Sequence, residues 1–335
     1  MSLLIPKGYH SKLTIRETEL GIKAVKDCFE KKLSTRLNLS RISAPLFVFH
    51  ETGLNDDLNG VERPVRFTVK NANDREVEIV HSLAKWKRVA LKRYGFAHGE
   101  GIYTDMNAIR RDDDLDNIHS IYVDQWDWER IVVREERTIA TLQATVNEIY
   151  AAVKETEAFI CGVFPQLEAF LPEKVTFVTS QELLDKYPDL DEKAREDAIC
   201  KECGAVFLMQ IGGALSNGIS HGGRAPDYDD WTLNGDMLLW YPVLDHAFEV
   251  TSMGIRVDKD ALLCQLEISG HNERLDMPYH QDIVNENLPL TIGGGFGQSR
   301  LCMYLMNKAH IGEVQASIWP EEMIAQCEEN GMNLL

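Results

Sequence analysis

Apolar residues recur at helical spacing near the start of the chain. They are Leu20, Ala24, Val25, Cys28, Phe29, Leu33 and Leu37. Steps of about three and four residues predict one buried face of an α-helix. Thr14 and Glu17 precede this run in the order of a capping box, which marks a helix start. We therefore predict a long amphipathic first helix, followed by a short strand that ends at Pro45.

Alternating apolar and polar residues predict two antiparallel hairpins farther along the chain. Each hairpin consists of two alternating runs with turn residues between them. The first occupies residues 65–79, with its turn at 71–74. The second occupies residues 237–257, with its turn at Asp245–His246.

Hairpins outnumber regular strand–helix alternations in this pattern. Helices are predicted over 138–159 and 191–203, and strands over 175–178 and 205–211. This order of elements is typical of an α+β fold, with a mainly antiparallel sheet flanked by helices. No repeat or long linker interrupts it, so a single domain over residues 1–335 is expected.

One predicted strand, over residues 121–130, carries a polar face. Gln125, Asp127 and Glu129 alternate along it, which places all three side chains on the same side of the strand. Burying such groups without partners costs about 1–3 kcal/mol each. The pattern therefore indicates a functional face.

A glycine cluster over residues 293–297 runs directly into an apolar helix that carries Arg300. Glycines lack Cβ, so the backbone can approach a flat purine closely. The arginine offers a planar fork for phosphate oxygens. We predict that Gly294, Gly295 and Arg300 bind a nucleotide. The spacing fits neither a P-loop nor a dinucleotide fingerprint, so a different nucleotide-binding fold is required.

Charge and cysteine usage narrow the class of protein. The chain has 335 residues and a formal net charge of −18, which argues against nucleic acid or an anionic membrane as partner. No long apolar run or signal peptide is recognisable, so a cytoplasmic protein is expected. The seven cysteines are scattered, as expected of reduced thiols. Cys200 and Cys203 lack a second pair for zinc and are predicted to lie at a helix end.

The chain also contains five longer motifs. They are HSLAKWKR at 81–88, YVDQWDWE at 122–129, RAPDYDDW at 224–231, LNGD at 233–236 and SMGIRV at 252–257. Together they resemble the ammonia-dependent asparagine synthetase, or aspartate–ammonia ligase, family over nearly the whole chain. The strand ending at Pro45, the segment ending at Arg110 and the glycine-rich strand before Arg300 resemble the three signature motifs of class II aminoacyl-tRNA synthetase cores. That catalytic fold is therefore implied.

The resemblance implies that the protein joins L-aspartate and ammonia into asparagine at the expense of ATP. AMP is attached to the aspartate side chain with loss of pyrophosphate, and ammonia then displaces AMP. Mg²⁺ is the implied cofactor, and a homodimer formed through the first helix is the implied assembly. A glutamine-dependent enzyme would need a nucleophilic cysteine, and none stands in a recognisable setting. Free ammonia is therefore the expected nitrogen donor.

The resemblance also implies residues for the phosphates and the metal. Arg110 is expected to hold the α-phosphate and Arg300 the outer phosphates, because this chemistry depends on positioning and charge neutralisation. Asp236 and Glu249, assisted by Ser252, are the expected Mg²⁺ ligands, since Mg²⁺ prefers carboxylates together with phosphate oxygens. Asp236 could instead cap a turn.

The aspartate substrate must be recognised at both ends. Its ammonium group is expected to meet Asp127 and Asp56, and its α-carboxylate to meet Lys87. Ser82 is a further expected substrate-binding residue. Gln125 could contact the reacting carboxylate or stabilise a developing oxyanion.

Several of these assignments have alternatives. Asp229 could bind ammonium, accept its proton or bind metal, and Asp230 could take its place. Asp57 could likewise replace Asp56. The basic run over 85–88 could form a solvated helix face, which is the usual meaning of such a run.

Two other classes of protein could share such a core. A tRNA-charging enzyme would need an RNA-binding domain and a basic surface, and neither is recognisable in the sequence. A non-catalytic binding module would have no physical reason to retain the arginines and the acidic strand together. The ligase is therefore the favoured interpretation.

Overall fold

The computed structural model describes residues 3–56, 58 and 62–335. Asp57, the alternative to Asp56, lies outside these residues. The helices are α1 (Ile15–Leu37), α2 (Ala84–Tyr94), α3 (Ile139–Val163), α4 (Ser180–Lys186), α5 (Glu192–Cys203), α6 (Lys259–Ser269), α7 (Pro278–Val284), α8 (Gln298–Leu305) and α9 (Glu321–Glu329). The strands are β1 (Leu39–Arg41), β2 (Phe47–Phe49), β3 (Arg66–Val69), β4 (Arg75–Ile79), β5 (Gly101–Ile109), β6 (Tyr122–Ile131), β7 (Thr176–Thr179), β8 (Ala205–Met209), β9 (Asp229–Tyr241), β10 (His246–Arg256) and β11 (Thr291–Gly297).

Among the described residues the main sheet has eight strands, in the order β1-β5-β6-β11-β10-β9-β8-β7. The outermost pairs, β1 with β5 and β7 with β8, are parallel. The pairs between them are antiparallel. The expectation of a mainly antiparallel sheet therefore describes the centre, and the sheet as a whole is mixed. Its edges are parallel because helical crossovers precede β5 and β8, and parallel neighbours require such connections.

The first helix begins and ends with local signals that the sequence contains. Thr14 Oγ1 accepts a hydrogen bond from Glu17 N at 3.2 Å, and Glu17 Oε2 accepts one from Thr14 N at 2.8 Å. Asn38 ends the helix in the left-handed conformation, at φ 56°. The predicted capping box is thus confirmed. Leu20 differs from the predicted buried face, because its side chain is 61% exposed.

The predicted hairpins are confirmed as β3 with β4 and β9 with β10. The smaller sheet has the order β2-β4-β3. The predicted helix end that carries Cys200 and Cys203 is the end of α5, and both cysteines are free.

Aromatic packing separates the two faces of the central sheet. Phe29 of α1 lies with its ring centroid 4.9 Å from that of Trp126 and 4.5 Å from that of Phe296. Trp128 belongs to the same buried core. One face of β6 and β11 is therefore apolar and covered by helices, and the alternate residues are left for the other face. No helix in the described ranges is long and apolar enough to span a bilayer.

Candidate active site

A pocket of about 590 Å³ lies over the polar face of the central sheet. Twelve of the predicted site residues line it, namely Asp56, Ser82, Arg110, Gln125, Asp127, Asp229, Asp236, Glu249, Ser252, Gly294, Gly295 and Arg300. The fold therefore brings together residues that lie far apart in the sequence. Lys87 is the predicted residue that does not line this pocket.

The glycines of β11 make room for polar side chains of β6. A Cβ at Gly293 would lie 2.0 Å from Glu129 Oε2, and a Cβ at Gly295 would lie 2.5 Å from Gln125 Oε1. A Cβ at Gly294 would instead lie 2.6 Å from the Cβ of Met253, on the apolar face. Close contacts within the protein thus require glycine at these positions, whatever ligand lies above them.

Replacing Gly295 by alanine should lower activity more than stability. The new Cβ would displace the Gln125 amide, a flexible group at the pocket surface, so at least a tenfold loss of kcat/KM is expected. The melting temperature should fall by only a few degrees. Gly162→Ala is the matched control, because a Cβ there meets nothing within 4 Å. Equal kinetics for the two variants would contradict this assignment.

A buried ion network supports the pocket from below. Arg256 donates from Nε to Glu129 Oε1 at 3.0 Å and from Nη2 to Glu129 Oε2 at 2.8 Å, and it also pairs with Asp229. Thr291 Oγ1 donates to Glu129 at 2.6 Å. Burial opposes ionisation of Glu129, but the charges of Arg256 and Lys87 prevail and lower its pKa. The network therefore holds a charged carboxylate beneath β11.

Lys87 lies behind Asp127, away from the pocket. Its Nζ pairs with Asp127 and donates to Trp128 O at 2.8 Å and Gly294 O at 3.2 Å. Asp127 also accepts from Leu83 N at 3.0 Å, just before α2. The ammonium thus joins α2, β6 and β11, and it fixes the orientation of the Asp127 carboxylate.

The solvated-face alternative for residues 85–88 is wrong, since Lys85 and Arg88 are each only 2% exposed. Lys85 Nζ lies 2.6 Å from Asp227 Oδ2, which also accepts from Arg274 and from His280 Nε2, each at 2.9 Å. These partners anchor the segment that leads into β9. Arg88 donates instead to Pro289 O at 2.8 Å and to Val257 O at 2.7 Å, so each cation of the run is buried with its own partners.

An acidic cluster forms where β9 and β10 pair. Ser252 Oγ donates to Asp236 Oδ1 at 2.6 Å and lies 3.4 Å from Glu249 Oε1. A register shift in β10 between Glu249 and Thr251 allows both Glu249 and Ser252 to face the pocket. Burial raises the pKa of Asp236, which Arg224 opposes. Burial acts in the same direction on Glu249, but the charges of Arg300, Lys193 and Arg224 together outweigh it and lower the pKa of Glu249.

Three arginines line the same pocket as this cluster. Arg224 Nη2 donates to Asp236 Oδ1 at 2.5 Å, and Arg300 Nη1 donates to Glu249 O at 3.0 Å. Arg110 Nη2 is 3.5 Å from His81 O. The Nε groups of Arg110 and Arg224 are buried and have no hydrogen-bond partner among the described residues. Buried donors of this kind favour an anionic ligand.

The structure separates Asp229 from Asp230 by position, and it places Asp56 at the pocket wall. Asp229 lines the pocket, whereas Asp230 pairs with Arg137 Nη2 at 2.8 Å and does not line it. Asp56 is 2% exposed and accepts from Ser82 Oγ at 2.9 Å. Burial raises the pKa of Asp56, although Lys85 opposes this effect. Asp56 and Ser82 therefore act as one unit at the pocket wall.

Sequence reasoning assigned no role to several ionisable residues that line the pocket, among them Arg224, Arg256, Asp116 and His119. Arg224 and Arg256 lie within motifs used for the resemblance, but they were assigned no role. His119 Nδ1 lies 2.9 Å from Asp116 Oδ1, and both residues line the pocket. Burial raises the pKa of Asp116, but the His119 contact prevails and lowers it to about 2. The sequence did contain a signal for Arg224 and Arg256, because an arginine within such a motif is notable in an acidic chain.

Solved structures with a similar fold include asparaginyl-tRNA synthetases. The Pyrococcus horikoshii enzyme complexed with asparaginyl-adenylate superposes with a TM-score of 0.66 at 14% identity, covering 91% of this chain and 70% of that chain. The Entamoeba histolytica enzyme, also with asparaginyl-adenylate, has a TM-score of 0.64 at 14% identity. This chain covers 66% of that synthetase, and 90% of this chain is covered. The fold is thus that of class II aminoacyl-tRNA synthetases.

Sequence comparison gives the family. The sequence model of aspartate–ammonia ligase matches residues 16–331. An aspartate–ammonia ligase of Clostridium perfringens (strain ATCC 13124) is 62% identical over 333 residues, which is 99% of each chain. One of Levilactobacillus brevis is 56% identical over 335 residues, which is 100% of each chain. The chain therefore belongs to the aspartate–ammonia ligase family and is an ATP-dependent enzyme that makes asparagine from aspartate and ammonia.

Proposed function

We propose that the pocket binds ATP and aspartate side by side and makes asparagine through β-aspartyl-AMP. In the first step a side-chain carboxylate oxygen attacks the α-phosphorus, and the bond to pyrophosphate breaks. In the second step the nitrogen of ammonia attacks the acyl carbon, AMP departs with the acyl C–O bond electrons, and nitrogen loses a proton. The observation that carries this proposal is the composition of the pocket. Arginines with unpartnered buried Nε groups line it together with the Asp127 carboxylate.

Arg110, Arg224 and Arg300 are the proposed phosphate ligands. Arg110 would hold the α-phosphate while the carboxylate approaches, and Arg300 would hold the outer phosphates. Arg224 has an unpartnered Nε in the described structure, so it can add a hydrogen bond without breaking its contact with Asp236. Fixed cationic donors of this kind stabilise charge that develops in the transition state.

The carboxylates of Asp127 and Asp56 are the proposed partners of the substrate ammonium, with Ser82 orienting Asp56. The α-carboxylate needs a cation that reaches the pocket. We assign this role to Arg256, which lines the pocket. Lys87 then supports the site indirectly through Asp127.

Two further polar residues have proposed roles in the chemistry. Gln125 lies over Gly295 at the pocket surface, where its amide could donate to the reacting carboxyl group. Asp229, held by Arg256, is the proposed partner for ammonium or for the proton released from nitrogen. No cysteine lines the pocket among the described residues, which favours free ammonia over glutamine as the nitrogen source.

Mg²⁺ fits the acidic cluster. Asp236, Glu249 and Ser252 place oxygen atoms together, and oxygen is the ligand type that Mg²⁺ prefers. These residues would hold the ion beside the outer phosphates. When bound, it would neutralise charge on the phosphate oxygens.

Replacing Asp236 by asparagine should raise the Mg²⁺ concentration needed for half-maximal activity by roughly tenfold or more, because a charged ligand is lost. The measurement is a Mg²⁺ titration at saturating ATP. Asp245→Asn is the control at the far end of the same hairpin, since Asp245 is an exposed residue paired with Lys201. An unchanged Mg²⁺ requirement in Asp236→Asn would exclude this metal site.

The overall reaction can be tested by pyrophosphate release with ATP, Mg²⁺ and aspartate. Ammonium should stimulate the release, and asparagine and AMP should form in equal amounts. Glutamine and bulk tRNA should not replace ammonium. ADP formation in place of AMP would contradict the adenylate step. Activity that requires tRNA would support the alternative of a tRNA-charging enzyme.

We also propose that the enzyme is a cytoplasmic homodimer formed through α1. Two large apolar residues of this helix are exposed, Ile15 at 52% and Leu20 at 61%, and a second copy could cover them. All seven cysteines are free, in keeping with a reducing compartment. Mass measurement in solution tests the assembly, and a monomer at micromolar concentration would exclude it.

A further inference from the structure

The loop over residues 212–226 connects β8 to β9 and brings Gly223 and Arg224 to the pocket. It has little secondary structure of its own, apart from an isolated bridge between Ala214 and Ser220. Ile219 at its tip is 67% exposed. Such a loop needs anchors if it is to present a side chain in a fixed position.

Two sets of contacts that precede Arg224 anchor this loop to α4 and α5. On its outward path, Ser216 N donates to Gln181 Oε1 of α4 at 2.9 Å, and Gln181 Nε2 donates to Ser216 Oγ at 2.8 Å. On its return path, His221 is 2% exposed, and its Nε2 lies 3.1 Å from Glu196 Oε1 of α5. The second anchor is buried and lies just before the pocket residues.

The contact between His221 and Glu196 is a hydrogen bond. Glu196 uses its other oxygen, Oε2, to accept from Lys193 Nζ at 2.8 Å. His221 Nδ1 is buried and has no hydrogen-bond partner among the described residues. The Glu196 carboxylate is therefore the polar group that holds this ring in place.

Three potential metal-binding atoms, from Glu192, Glu196 and His221, lie within 4.8 Å of one another. Both oxygens of Glu196 already have hydrogen-bond partners, and one partner is a lysine ammonium. A metal ion bound by His221 Nε2 and Glu196 Oε1 would have to replace the hydrogen bond between these two atoms. The contacts therefore favour a hydrogen-bonded anchor over a metal centre.

The chain turns sharply between this anchor and the pocket. Gly222 has φ +68°, a conformation that side chains disfavour, and a Cβ there would lie 3.6 Å from Glu192 Oε1. Gly223 and Arg224 follow directly and line the pocket. The position of His221 therefore determines where Arg224 enters the site.

We propose that His221 and Glu196 are positioning residues that hold Arg224 ready to bind ATP. They act through the loop, since neither lines the pocket. This inference rests on the phosphate-binding role proposed for Arg224, and it identifies a contact that keeps that arginine in place. After Arg224 the chain is held by other contacts, since Ala225 O accepts from Trp231 Nε1 at 3.3 Å and Pro226 O accepts from Gln265 Nε2 at 2.9 Å. His221 and Glu196 fix the stretch that precedes the arginine.

The first test is a kinetic comparison of His221→Ala, His221→Gln and Ser220→Ala. His221→Ala should raise KM for ATP about tenfold, with a smaller change in kcat and little change in KM for ammonium. Glutamine places an amide donor near the position of Nε2, so His221→Gln should recover most of the affinity. Ser220→Ala changes the exposed neighbouring residue and should resemble the wild type. An unchanged KM for ATP in His221→Ala would overturn the proposal.

The second test asks whether His221 acts through Arg224. In an Arg224→Ala background, His221→Ala should add little further change in KM for ATP, because the group it positions is absent. Full additivity would overturn the proposal. If Arg224→Ala alone left KM for ATP unchanged, the proposed role of Arg224 would fail and the positioning inference with it. A raised KM in Arg224→Ala with normal kinetics in His221→Ala would remove only the positioning inference.

Two physical readouts complete the test and separate positioning from general stability. Hydrogen exchange over residues 212–226 should be faster in His221→Ala than in the wild type, with other segments unchanged. Glu196→Gln should show the same local effect if His221→Ala folds poorly. Metal analysis of the purified wild type should find no stoichiometric zinc. One zinc per chain, lost in His221→Gln, would overturn the hydrogen-bonded anchor.

Discussion

Replacing Arg110 by alanine should lower the rate of aspartate-dependent pyrophosphate release by about a hundredfold to a thousandfold. Arg110 lines the pocket, and its buried Nε has no hydrogen-bond partner in the described part of the chain. The loss of a fixed donor to developing phosphate charge has effects of this size. Lysine should rescue only part of the rate, because it keeps the charge but not the planar fork.

Arg111→Ala provides a matched control for this experiment. Arg111 is the next residue in the chain, is exposed and does not line the pocket. Its kinetics and its melting temperature should be close to those of the wild type. Similar losses of rate in Arg110→Ala and Arg111→Ala would show that the effect is not specific to the pocket.

The largest effect on stability is expected for Glu129→Gln. Glu129 is 0% exposed and accepts hydrogen bonds from Arg256 and Thr291. The substitution leaves the Arg256 guanidinium buried, with Asp229 as its remaining ion-pair partner among the described residues. Removing one member of a buried ion pair costs about 3–5 kcal/mol. Urea unfolding at neutral pH measures this difference in the free energy of unfolding.

The pH dependence of that difference provides an independent test. The pKa of Glu129 is lowered in the folded protein from 4.5, its ordinary value. The charged carboxylate therefore contributes its full stabilisation above pH 4.5, and this contribution is lost as pH falls through the folded pKa. The gap between wild type and Glu129→Gln should shrink at acidic pH. A gap that widens there would contradict the buried ion pair.

Glu135→Gln is the control for Glu129→Gln. Glu135 is exposed and lies just beyond the same strand. Its replacement should change the free energy of unfolding by less than about 0.5 kcal/mol. A loss as large as that of Glu129→Gln would indicate a general charge effect in place of the buried ion pair.

Elements with strong local signals could be predicted from the sequence. The capping box at Thr14 and Glu17 and the alternation in β6 depend on neighbouring residues in the chain, so the sequence contains the whole signal. The parallel edges of the sheet were not predictable in this way. They depend on which distant strands become neighbours, as in the pairing of β1 with β5.

Most of the candidate site could also be named from the sequence, because the motifs that carry the resemblance contain its residues. The sequence could not predict how the side chains of those residues are oriented. Lys87 was expected to contact the substrate, yet it lies behind Asp127 and bonds to the backbone of two strands. The basic run around it was open to interpretation as a solvated face. The burial of Lys85 in this run follows from Asp227, which lies far away in the sequence.

The sequence by itself determined the family, the reaction and the residue types at the pocket, because these depend on motifs and on the chemistry of side chains. The tertiary structure alone decided which charges meet. It placed Arg256 between Glu129 and Asp229, and it brought Asp229 rather than Asp230 to the pocket. The reason is physical: the strength of a charge pair depends on separation in space and on burial, and neither quantity is local in the chain.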